Sequence, residues 1–557
     1  MADNYNDTDY DDNYDPATYK FGKDDELVAA YKDPDRVQQL VDAGHVVTAN
    51  AIQAACHTGN ERTLEILLSV KPNPDIRLAG SDSQNTGVEA GWAASDLTPH
   101  FGVDQREWYP LQLAANGPLL YYYGGKKASD TVQNVLLRHK PNLFAIFKQP
   151  IWRPDPFPFP GEDSSEFEDD ESETSEESVD YMHSLDIVDG KWQHEPKPEF
   201  GYGLRSVLHS LLEDGGYIKP ILEHPDLEID LSHRDPQGRT LLHSVCRSSM
   251  GADALPSAAI EDLYGEEARE NLKSLTAPEA SETSLFHTLR KRGADLTSVD
   301  SNGKNILHHL LEARTPEPYS RRPPLIRNTL DYVLKHEPQL VNRPDQHGTY
   351  PLHTALQRLR DHFEELTVWI KVSPLEPVVH DLLDAGADAT VQDSRGNTAL
   401  HYLADNGLAE QLTRGIEARA LCQRFCDAGV DVNARNHRGR TALEILMNDS
   451  GKWYDGLRRV TVMTRLETPP QPLEDIDAEV LSMFDKAGVL WNEQNPQGQT
   501  LLHLVAKHRT VKTAFRVKYL LDLGLDPAVK DHEGKTAEDV ARESHNESVL
   551  EALERFS

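Results

Sequence analysis

Residues 392–404 read QDSRGNTALHYLA, and the segment that leads into them, Leu382–Asp393, reads LLDAGADATVQD. Asp393, three residues before Gly396, is turn chemistry, because glycine takes the positive φ of a hairpin tip at no steric cost. Thr398 then caps a helix whose apolar side chains begin at once. Upstream, Val379, Leu382 and Leu383 stand at i, i+3 and i+4, a stripe along one helical face, and Gly386 follows where a C-terminal cap belongs. Helix, glycine cap, hairpin turn and helix follow one another without a loop between them.

The turn-and-helix phrase occurs seven times: RDPQGRTLLHSV from Arg234, VDSNGKNILHHL from Val299, PDQHGTYPLHTA from Pro344, QDSRGNTALHYL from Gln392, RNHRGRTALEIL from Arg435, QNPQGQTLLHLV from Gln494 and KDHEGKTAEDVA from Lys530. A second helix follows each, predicted by stripes such as Leu330, Val333 and Leu334, Val480, Met483 and Phe484, or Val517, Leu520 and Leu521. Similar stripes mark the first half, at Val37, Leu40 and Val41, at Leu64, Leu67 and Leu68, and at Val132, Val135 and Leu136. Gly44, Gly293, Gly386, Gly429 and Gly524 close helices of this kind.

Turn, helix, helix, glycine cap, next turn resembles the ankyrin repeat, whose phrase is D-x-x-G-x-T-P-L-H-x-A followed by a second helix and G-A-D-x-N. The resemblance covers residues 24–557 in about eleven units, and the long inserts are similar to those of large ankyrin-repeat proteins of filamentous fungi. It implies an all-α repeat solenoid with short hairpin turns and long inserts between the paired helices. Its concave side, made of tips and first helices, would be the binding face. It also implies that the phrase histidine bonds the nearby Thr and backbone, so Thr240, His243, His308, His353, Thr398, His401, Thr441, Thr500, His503 and Thr536 are structural, with Glu444 and Glu538 in place of the histidine in two units.

The turn glycines, at 238, 303, 348, 396, 439, 498 and 534, are spaced by 65, 45, 48, 43, 59 and 36 residues, against roughly 33 in that family. Most of the excess falls between first and second helix, which predicts inserts on the edge away from the tips. Residues 1–23 are an acidic tail expected to be disordered, and 24–145 form an N-terminal sub-array of about three irregular units. Residues 146–200 form a linker holding WRPDPFPFPG and an acidic run, and 201–557 form a C-terminal array of about eight units. WRPDPFPFPG either docks on another protein or tucks onto its own solenoid.

The chain carries 57 Lys and Arg against 92 Asp and Glu, a net of −35. Residues 1–26 hold −7 of this and 161–180 hold −11, so the charge is concentrated in segments that cannot bury a core. So acidic a chain is not drawn to phosphate backbones, which excludes nucleic acid as a partner. No apolar run spans a membrane and the N-terminus is no signal peptide. Four cysteines are too few for a disulfide framework. A monomer in the cytoplasm or nucleus is expected, with the sequons at Asn6, Asn448 and Asn546 chance matches.

The recurring histidines stand one per unit, too far apart by helix spacing to share a zinc ion. Cys422 and Cys426 fall on the stripe of Ala418, Leu421 and Phe425 and are expected to pack. No phosphate loop, nucleophile elbow or zinc-protease motif occurs, and GGKKAS at Gly124 lacks the required glycine. Neither cofactor nor catalytic residue is expected. Arg234, Arg239, Lys304, Arg395, Arg435, Arg438, Arg440, Lys530 and Lys535 lie in or beside the turns, either as ordinary solvated tips or as a row of cations that selects an acidic protein partner. The function implied is an adaptor or scaffold. The alternatives are a regulatory subunit autoinhibited by its acidic segment and an enzyme with a catalytic insert.

Overall fold

A computed structural model describes residues 25–75, 109–115, 125–150, 187–188, 191–192, 202–248, 251–257, 283–313, 326–357, 376–405, 413–448, 473–510 and 512–556. The acidic tail, WRPDPFPFPG and the acidic run 161–180 lie outside them, as do most insert residues. The chain divides into two compact units, Met1–Leu208 and His209–Ser557.

In the first unit, helices end where their capping chemistry dictates. Asp33 accepts the N–H groups of Asp35 and Arg36, each at 3.1 Å, ahead of Pro34, whose missing N–H costs nothing at a first helical position. Helix Pro34–Asp42 then packs on Glu61–Val70, and Ala49–Thr58 packs on both Glu61–Val70 and Pro110–Ala115. Gly125–Arg138 lies against Pro110–Ala115 and Glu61–Val70. The faces in contact carry the predicted stripes: Val37, Leu40, Leu64, Leu67, Leu68, Val132, Val135 and Leu136 are buried.

Beside its helices this half carries two short antiparallel ladders. Ile146–Pro150 pairs antiparallel with Tyr202–Ser206, in the register Ile146↔Ser206 to Pro150↔Tyr202, and a second ladder joins Ile187–Val188 to Lys191–Trp192. The longer ladder pairs the start of the stretch read as a linker with residues just past its end. Partners of the longer ladder stand 52 to 60 residues apart, so no local periodicity announces them.

The second unit is a stack of helix pairs in two layers. First helices follow one another, with Leu241–Cys246 against Ile306–Leu311, Ala399–Asp405 against Ala442–Met447, then Leu501–Lys507 and Ala537–Glu543. Second helices form the other layer, as where Thr413–Asp427 meets Leu473–Lys486 and Thr513–Asp522 meets Glu547–Phe556. Phe286, Phe425 and Phe484, fully buried, anchor the core between the layers. A buried Arg516 ties three of these helices: it takes Asp477 in a two-pronged pair, at 2.8 and 3.1 Å, and donates to the Leu446 carbonyl at 2.9 Å. That carbonyl is an orphan of a helix end, satisfied by a side chain from a helix of the next unit.

Candidate functional site

All seven turns are built alike. The leading Asp or Asn accepts the backbone N–H two and four residues on, as Asp393 does from Arg395 at 2.8 Å and Asn397 at 2.7 Å, and Asn436 from Arg438 at 3.0 Å and Arg440 at 3.1 Å. The backbone closes round the side chain, with Gly396 N–H donating to Asp393 O at 2.9 Å. Successive tips are then laced together. Ser301 donates to Gln237 O, Gln346 to Asn302 O, His437 to Arg395 O and His532 to Gln497 O, at 2.8–3.0 Å. Pro496 has no N–H and contributes no such bond. A Cβ on Gly439 would lie 2.3 Å from Pro496 Cγ, so glycine is required there by crowding as well as by its φ of 71°.

The phrase histidines join unit to unit. His243 Nδ1 accepts the Thr240 N–H at 3.0 Å, which places the ring proton on Nε2, and Nε2 donates to Ser298 O of the next unit at 3.2 Å. His308 reaches Thr349 O at 2.9 Å, His353 Val391 O at 3.3 Å, His401 Arg440 O at 3.0 Å and His503 Lys535 O at 3.0 Å. Burial, and next the His309 ring 4.7 Å away, push His243 down to about 3. His308, His353 and His401 are lowered too, first by burial. His243, His308, His353 and His401 are thus neutral staples.

Two members of the set were not legible as such. His209, in SVLHS from Ser206, donates to Arg239 O at 3.1 Å, and Gln112, in YPLQLAA, accepts the Tyr109 N–H at 2.9 Å. Both phrases lack the preceding Asp-x-x-Gly or Asn-x-x-Gly that marks the others. One assignment is corrected: in the last unit the carboxylate at the histidine position is Asp539, which accepts the Thr536 N–H at 2.9 Å, and Glu538 stands one residue earlier, paired with Arg542. Glu444 does hold that position, accepting the Thr441 N–H at 3.1 Å.

The sequence matches no protein-family model. It is 26% identical to NF-kappa-B inhibitor delta of Mus musculus over 218 residues, 38% of this chain, and spans 54%, about half, of that relative. It is similar to a solved ankyrin-repeat protein, EF0377, at 20% identity and a TM-score of 0.29, covering 41% of this chain and 90% of that one. The chain is mostly helical, with its helix pairs stacked unit on unit.

Within the seven turns the nine cations occupy three settings. Arg239 is buried, held by Glu213 at 2.5 Å and Asp235 at 2.7 Å. Lys304, Arg435, Arg440 and Lys535 are half-buried. Lys304 pairs with Glu312, Lys535 with Glu543 at 2.7 Å, and Arg435 with Glu444 at 2.8 Å and Glu493 at 3.2 Å. Arg234, Arg395, Arg438 and Lys530 are exposed, although Arg234 also donates to Gly238 O and to Val299 O of the next unit. Arg395 and Arg438 project from adjoining tips, beside exposed His437. The later of these two turns is led by Asn436, so it lacks the carboxylate that Asp393 supplies to the earlier one.

Cys422 is buried and Cys426 partly so, both as free thiols. Among the described residues no three His, Cys, Asp or Glu side chains gather as a metal site, and no helix is long and apolar enough to cross a membrane.

Proposed function

We propose that this ankyrin chain is a protein-binding scaffold whose contact surface is the tip edge with the adjoining first helices, and that the tips at 393–397 and 436–440 select an acidic segment of the partner. The observation that carries the reading is the 2.8 Å bond from His437 N–H to Arg395 O. It holds two tips in register, so that Arg395, Arg438 and Arg440 act on one ligand from a rigid backbone. The excess of positive charge is local, set in a chain of −35. Free thiols fit a cytoplasmic or nuclear setting for such a scaffold.

The test is crosslinking and mass spectrometry on a native extract with the full chain and with Arg395→Ser/Arg438→Ser, two exposed substitutions. The expected result is loss of acidic partners at unchanged melting temperature, with a loss that shrinks as salt rises. An identical set of partners from both proteins would end this reading.

A further inference from the structure

In four units the residue two past the cap glycine is an aspartate, Asp295, Asp388, Asp431 or Asp526, whose side chain accepts the N–H two residues on at 2.8–2.9 Å. The unit of Gly488 departs from this. It has Leu490, 55% exposed, at that place, and then Trp491 where other units bury Leu296, Ala389 or Val432. Trp491 is only half-buried. Its ring centroid lies 6.0 Å from that of Tyr519, which lies 6.1 Å from that of Phe515. Phe515, Tyr519 and Leu523 follow at four-residue steps along the face of Thr513–Asp522 opposite buried Val517, Leu520 and Leu521, and Leu523 is 40% exposed.

Charge accompanies the rings. Trp491 Nε1 donates to Asp485 Oδ1 at 3.0 Å. Burial, and then the Asp485 charge, raise the Tyr519 phenol. Asp485, Asp522 and Asp526 are exposed, and the exposed lysines of these elements are Lys486 and Lys518. Half-open aromatic faces beside a carboxylate suit one chemistry above others: a cation on an apolar stem.

We propose that this outer surface docks a basic segment of another protein, with an Arg or Lys side chain over Trp491 and Tyr519, its charge toward Asp485, and aliphatic neighbours on Leu490 and Leu523. It is a second docking surface, opposite in chemistry to the tips and independent of them.

Calorimetric titration of the full chain with a capped Arg-Leu-Arg-Leu-Arg peptide tests it. Leu490→Asp/Trp491→Val rebuilds the Asp431–Val432 pair of the preceding unit, so the fold has a precedent for it. Because it adds a carboxylate, lost affinity reports the aromatic and apolar contact and not charge. Binding about tenfold weaker than wild type is expected. Asp485→Asn, which can still accept the indole N–H, should bind about threefold weaker at low salt and like wild type at ~0.5 M. If the double variant melts early, Asp485→Asn decides alone. Equal binding by a stably folded double variant would overturn the proposal. So would a concentration-dependent dimer of the wild type that the double variant abolishes, since a second copy would then be the occupant.

Discussion

Two neighbouring seams of the array solve the same problem with different chemistry. Between the turns at 393–397 and 436–440 the joints at the tips are neutral: a tip amide to Arg395 O, the His401 ring to Arg440 O, and Asn436 Nδ2 to Asn397 Oδ1 at 3.0 Å, while an ion pair, Arg419 with Glu479 at 3.0 Å, joins the second helices of the two units. Between 436–440 and 495–499 the tip amide is lost to Pro496, and Glu444, a carboxylate, has no proton to donate onward. Arg435 takes over, gripping its own Glu444 and reaching Glu493 and Gln494 O of the next unit. Behind it, Asn433 clasps Gly488 O at 3.0 Å and the Leu490 N–H at 2.9 Å, and Arg516 locks the helices beneath. The unit-to-unit joint is therefore a requirement of the fold, while the side chain that meets it is not.

The largest expected effect lies on the charged seam. Arg516→Ala leaves Asp477 buried and unpaired and frees the Leu446 carbonyl, so denaturant unfolding should show a loss of about 3–5 kcal/mol. Arg516→Met with Asp477→Leu should recover most of it, because an apolar pair carries no desolvation cost. A loss under about 1 kcal/mol for the single variant would mean that this seam does not depend on its buried pair.

A smaller effect separates two kinds of glycine. Gly439 and Gly524 have φ of 71° and 85°, but an added Cβ on Gly524 meets open space. Gly524→Ala should cost about 1 kcal/mol of backbone strain. Gly439→Ala should cost about 2–3 kcal/mol, because the Pro496 tip must also retreat. Equal losses in thermal melts would show that the tips are not tightly packed at this seam.

The smallest effect sharpens the neutral seam. His401→Gln keeps an acceptor for the Thr398 N–H but shortens the reach to Arg440 O, for a loss of about 1–2 kcal/mol. The pH dependence has a definite sign. The folded pKa of His401 lies below its unfolded value, so its stabilisation is fully present above ~6.5 and falls with pH below that, as the unfolded chain takes up the proton first. For His243 and His209 the decline runs down to about 3 and about 4. Stability measured from pH 8 to pH 4 should therefore fall less in His401→Gln than in the wild type; parallel curves would show that the ring titrates normally.

The turns, caps and stripes were legible because their partners lie within about four residues: Asp393 with Asn397, Thr398 with His401, Leu383 with Gly386. Even the role of the histidine inside its own unit could be placed. Its second bond could not, since His243 and Ser298 are 55 residues apart across an insert of irregular length. For the same reason Arg239 read as a tip cation, although it is buried against Glu213.

By itself, then, the sequence determined the unit and its repetition, because hydrogen bonds between near neighbours and the helical period are written in residue order. Only the tertiary structure decided which cations are consumed in joining units and which face solvent, and that Leu490 and Trp491 surface beside Tyr519. Those outcomes depend on what the next unit brings alongside, and inserts of varying length hide that alignment from the linear chain.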